Sequence, residues 1–119
     1  MKTNELMIGD WVLAYGKKTQ IVWVGNIRKL AVRGFPSEFY EDEISPIPLT
    51  PEILEKNEFT KELDADGLHY RFTLIDGHTK FSILNARRVF QWLGPLDFKY
   101  VHELQHALRL CGIKKEIEL

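Results

Sequence analysis

Apolar positions along this chain follow a period of two in the first third and a helical period near residue 50. They alternate again from 68 to 93 and return to a helical period near the C-terminus. In the first third, Asp10 to Tyr15 reads as a strand that follows Gly9 and ends at the break Gly16-Lys17-Lys18. Thr19 to Val24 is β-branched and aromatic, and Ile27 to Val32 supplies a third strand ending at Gly34. Short strands punctuated by glycine predict a small, strongly bent antiparallel barrel. Ile44-Ser45-Pro46-Ile47-Pro48-Leu49 carries two prolines, which suits an extended edge or closing strand. A helix start follows: Thr50 as N-cap, Pro51 at the first helical position and Glu52 at the positive helix end. Leu49 and Leu54 are spaced as a hydrophobic staple, and Asn57 is the expected stop.

From Leu68, the apolar set Leu68, Tyr70, Phe72 and Leu74 alternates with His69, Arg71 and Thr73. Asp76-Gly77 is a favoured hairpin turn, which would pair Leu74 with Thr79, Phe72 with Phe81 and Tyr70 with Ile83. Arg88 to Leu93 is the expected third strand of a meander, ended by Gly94-Pro95. Asp97 is then placed to cap a final helix. Val101, Leu104, Leu108 and Cys111 form its apolar stripe, with Gly112 at the left-handed position and Ile113 folding back over the last turn. The tail Glu116 to Leu119 suggests one further short strand.

Composition narrows the class. With 119 residues, 45% hydrophobic and 12% aromatic, the chain can build a real core. No apolar run approaches the ~20 residues a membrane helix needs. The first residues lack the apolar stretch and cleavage site of a signal peptide, so a cytoplasmic protein is expected. A single cysteine, Cys111, rules out an intrachain disulfide, and its place on the stripe predicts a buried, inert thiol. Net charge is −1, which argues against a dedicated nucleic-acid binder. The charges are segregated, however. Residues 1–34 hold six basic groups against two acids, and residues 35–66 hold ten acids against two lysines.

One string has the form of a metal site. His102-Glu103-Leu104-Gln105-His106 is an H-E-x-x-H pattern, in which a helix puts two imidazoles on one face and the glutamate can polarise a metal-bound water. No histidine follows His106, so a third ligand would have to come from Glu116, Glu118, His69 or His78. All three motif residues fall off the Val101–Leu104–Leu108 stripe, which favours an ordinary solvent-facing helix surface. The first third offers a second possibility. Trp11, Tyr15 and Trp23, with Arg28, Lys29 and Arg33 nearby, are groups that stack on bases and pair with phosphate. Trp11 and Trp23 fit equally well inside a small barrel, and core packing is the favoured reading of them.

Two resemblances bear on these segments. The opening Ile8-Gly9-Asp10-Trp11-Val12, followed by Gly16 and an apolar strand, looks like the start of many SH3-like barrels. Leu6 to Val12, Ile44 to Phe59 and Lys99 to Leu108 together resemble a group of short proteins encoded in prophages and mobile elements of gut anaerobic bacteria. That resemblance implies an accessory protein with no established activity. The group typically carries Gln and Asn at the positions of Glu103 and His106, which implies that the H-E-x-x-H string is particular to this chain. The expected fold is α+β. An SH3-like β lobe spans 1–49, and 50–119 forms a helix, a three-stranded antiparallel meander and a C-terminal helix sharing one core with it. The leading functional expectation is a non-catalytic binding or adaptor protein that meets a protein partner or self-associates, without a cofactor. The alternatives are a small zinc-dependent hydrolase using His102, Glu103 and His106, and nucleic-acid binding through Trp11, Tyr15, Trp23, Arg28, Lys29 and Arg33.

Overall fold

A computed structural model describes residues 1–2, 5–25, 28–63, 69–77, 79–86, 92–93 and 99–119. The chain is mixed α+β and divides into two units. One comprises residues 1–48 with 100–102, the other residues 49–99 with 103–119.

The first unit is a five-stranded antiparallel sheet. Its strands are β1 (Trp11–Ala14), β2 (Lys17–Val24), β3 (Lys29–Val32), β4 (Phe39–Tyr40) and β5 (Ile44–Pro46), in spatial order β4-β3-β2-β1-β5. The first turn is tighter than the sequence suggests. Tyr15 and Gly16 form a two-residue loop, both at positive φ (49° and 76°), and Lys17 and Lys18 already belong to β2. A loop of that shape twists with the strands it joins. Alternation then puts Val12, Ala14, Ile21, Leu30, Val32, Phe39 and Ile44 on one side, where with Leu6 they make the buried core of this unit. The Ile44 strand is at an edge, as its prolines require. Among the described residues the sheet is open, with β4 and β5 as its two edges.

In the second unit α1 (Pro51–Lys56) begins as the sequence predicts: the Thr50 hydroxyl accepts from the Ile53 N–H at 3.3 Å, and Pro51 occupies the first turn. Leu49 and Leu54 are both buried. Four strands follow in the order β6 (Thr60–Leu63), β7 (His69–Asp76), β8 (Thr79–Ala86) and β9 (Trp92–Leu93). β6 is an addition to the expected three-stranded meander. All four of its residues are exposed, so it carries no alternation to announce it.

The hairpin register differs from expectation by one step along each strand. Asp76 pairs with Thr79, Leu74 with Phe81 and Phe72 with Ile83, with Gly77 (φ +60) just beyond the last pair. Glycine, not aspartate, takes the left-handed conformation here. Because each strand moves by one, no side chain changes face: Phe72, Leu74 and Ile83 remain buried together in one row. Ile75 consequently stands opposite Lys80. Residues 87–91, the Gly94-Pro95 break, Asp97 and His78 lie outside the described residues.

The last helix, α2, spans Val101–Leu110 and buries Val101, Leu104, Ala107 and Leu108. Its end follows the sequence reading: Gly112 is at φ +73, and the Ile113 N–H donates to the Leu108 carbonyl at 2.9 Å. The expected buried Cys111 is instead exposed. It is the residue at which the chain leaves the helix, and the fold-back delivers Ile113 to the interior. The tail adds no strand. Residues 113–119 run without regular structure, and the Glu118 backbone pairs with the Asn57 side chain.

Candidate binding face of the five-stranded sheet

The outer side of the first sheet follows from the same alternation that builds its core. Trp11 and Leu13 on β1, Lys18 and Gln20 on β2, Lys29 and Ala31 on β3, and Tyr40 on β4 are the residues left over from the buried set. Counted from the buried Ile21, strict alternation would send Trp23 into the core, as the favoured sequence reading expects. A β-bulge prevents this. Ile21 pairs with Val32, but Trp23 pairs with Ala31 and Val24 with Leu30, so Val22 is one extra residue in β2. The insertion reverses the parity beyond it. Val24 packs against the core and Trp23 turns outward, 43% exposed. Trp11 is half-buried, so neither indole belongs to the buried core.

Local chemistry keeps Trp23 there. Its indole lies over Gly25, where any Cβ would overlap the ring. Directly across the ladder stands Ala31, too small to cover an indole. One row further along β3, the Lys29 ammonium sits 5.4 Å from the centre of the Tyr40 ring, itself 54% exposed. In the other direction Gln20 and Arg33 are joined by the Arg33 N–H to Gln20 carbonyl hydrogen bond at 2.9 Å, next to the Trp11–Gln20 pair.

The structure therefore brings Trp11, Trp23, Lys29 and Arg33 to one sheet and separates Tyr15 and Arg28 from them. Tyr15 lies in the β1–β2 turn, its ring 5.3 Å from that of the core residue Phe39, its hydroxyl donating to Glu43 at 2.7 Å. The Glu43 carboxylate also accepts from the Tyr40 N–H at 2.9 Å. That backbone bond first, then the Tyr15 hydroxyl, holds the Glu43 pKa below the ordinary carboxylate value, while the hydrogen bond to Glu43 raises that of Tyr15. The contact is thus lost as pH falls through the lowered Glu43 value or rises through the raised Tyr15 value. Arg28, at φ +53, is bound to Glu41 at 2.7 Å, which raises its already high pKa. With Tyr40, Asp42 and Glu43 it lines an open depression at the β4 end of the sheet. Sequence reasoning missed Tyr40 and Lys18. Tyr40 stands among the acids Glu38 to Glu43, and Lys18 in the break Gly16-Lys17-Lys18, so neither carries a strand signal of its own.

The H-E-x-x-H residues are arranged differently from expectation. His102 is buried, at 6% exposure, instead of facing solvent, and its ring stacks on Tyr100 with centroids 5.8 Å apart and planes 10° from parallel. The Glu103 carboxylate accepts from the Lys99 N–H at 3.0 Å, the part an acid plays at the start of a helix. His106 is half-buried. Among the described residues no three His, Cys, Asp or Glu side chains are grouped to hold a metal ion, and no helix is long and apolar enough to cross a membrane. No family model, curated protein or solved structure matches this chain.

Proposed function

We propose that this chain is a non-catalytic binding protein whose contact surface is the outer face of the five-stranded sheet. The observation that carries the reading is the bulge at Val22, which places a large indole in solvent when regular alternation would have buried it. A side chain of that size gains most from water exclusion and is a frequent energetic centre of contact surfaces. Bulges that redirect a side chain are common beside functional sites. The order β4-β3-β2-β1-β5, a meander whose fifth strand returns beside the first, supports an SH3-like reading of this unit. The likeness of three chain segments to prophage and mobile-element proteins supports an accessory role.

Affinity capture with paired variants tests the proposal. Immobilised wild-type protein should retain macromolecular material that Trp23→Glu loses and Ile75→Glu retains, Ile75 being an exposed residue of the other sheet. Capture that survives Trp23→Glu, or no capture by the wild type, overturns the reading.

A further inference from the structure

Taking that face as the contact surface, we infer that its ligand is single-stranded nucleic acid. The sequence alone ranks a protein partner first, because net charge is −1. Sorting the side chains by face reverses that order. The outward strand positions are Trp11, Leu13, Lys18, Gln20, Trp23, Lys29, Ala31, Tyr40 and, on β5, Ser45, with Arg33 directly after β3. None of them is acidic. The acids of this unit stand elsewhere: Glu5 and the buried Asp10 ahead of β1, Glu38, and the 3₁₀ turn Glu41–Glu43 beyond Tyr40. There Glu41 is engaged by Arg28 and Glu43 by Tyr15 and the Tyr40 N–H.

The chemistry of this face is that of a stacking platform flanked by cations. Lys29 on β3 and Arg33 just after it are four residues apart, about 13 Å along the strand direction. Between them is Ala31, the cross-strand partner of Trp23, and the Trp23 indole leans over Gly25 toward the Lys29 end. A base stacked on Trp23 would place its flanking phosphates toward these two charges, with Lys18 extending the positive track on β2. Stacking accepts any base, and cations accept any phosphate, so the binding is expected to be tolerant of sequence. Duplex DNA offers no open base face to the indole and is expected to bind more weakly. An acidic protein would satisfy the cations but leave the two exposed rings, Trp23 and Tyr40, unused.

Fluorescence anisotropy with a labelled fifteen-nucleotide single strand of mixed sequence, as DNA and as RNA, tests the inference on the full chain. Binding should weaken with salt at a log–log slope of roughly −2, as expected for three neutralised phosphates. Trp23→Ala should weaken binding roughly tenfold, and Trp23→Phe should restore most of it. Arg33→Gln, an exposed substitution that spares the core, should lower the slope by about 0.7. Equal affinity for polyglutamate, or Trp23→Ala binding that matches the wild type, overturns the inference. Absence of nucleic-acid binding while the Trp23-dependent capture described above persists overturns the ligand class and keeps the face. Absence of both removes the face as well.

Discussion

The two helices end in the same hydrogen-bond pattern but with different residues at its critical point. After α2, Gly112 takes the left-handed conformation at φ +73, the Gly112 N–H donates to Arg109 at 3.0 Å and the Ile113 N–H to Leu108 at 2.9 Å. After α1, Glu58 does the same at φ +70, with the Glu58 N–H donating to Glu55 at 3.2 Å and the Phe59 N–H to Leu54 at 3.0 Å. In both, the residue that follows the turn is buried: Ile113 and Phe59. Glycine adopts this shape freely; glutamate must be held in it, at a cost of about 1–2 kcal/mol. What holds it is the residue before it. Asn57, 2% exposed, uses its amide nitrogen to donate to the Ile53 and Glu118 carbonyls, both at 2.8 Å, while its amide oxygen accepts from the Glu118 N–H at 2.7 Å. The lesson is that one end is written in a single letter and the other in a contact between residues 61 positions apart.

The contrast can be broken most directly at Asn57. Asn57→Ala removes three side-chain hydrogen bonds from a buried site and is expected to cost roughly 2–4 kcal/mol in urea denaturation. Amide exchange should show the Glu118 N–H losing protection in that variant; unchanged protection would mean that the clamp does not hold the tail. Next in size, Gly112→Ala should cost about 1 kcal/mol through φ alone, since nothing lies near enough to meet the new Cβ. A neutral result would show that the end of α2 does not depend on glycine. Glu58→Gly should move the other way, raising stability by about 0.5 kcal/mol, because relief of strain is partly offset by the flexibility gained in the unfolded chain. If it destabilises, the left-handed glutamate contributes through its side chain. The smallest effect belongs to Lys115→Met, which removes the 3.2 Å ion pair to Glu58 and should change stability by only a few tenths of a kcal/mol.

How much could be read in advance follows the same division between local and distant causes. The start of α1 was legible because Thr50, Pro51 and Leu54 act within one turn. Phe72, Leu74 and Ile83 were legible as a buried row because alternation survives even a wrong hairpin register. β6 was not, since Thr60 to Leu63 are all exposed and owe their conformation to pairing with β7. Helical periodicity sends His102 to solvent, whereas its neighbour Tyr100 provides a stacking partner that periodicity does not register. At the candidate face, the residue types were visible in Trp23, Lys29 and Arg33, but their common orientation was not. That orientation depends on one inserted residue, and Val22 looks like any other strand residue.

The insertion in β2 also changes how this chain should be lined up with others. Ile21 and Val24 lie three apart, the spacing of neighbours on a helix, yet both point to the same side of a strand. A counterpart lacking the extra residue would show an uninterrupted two-residue rhythm through this segment. The correct gap then belongs at position 22, inside a strand, where insertions are rarely sought. Shifting it into the neighbouring loop would match Trp23 with a core position and erase the best clue to a shared surface.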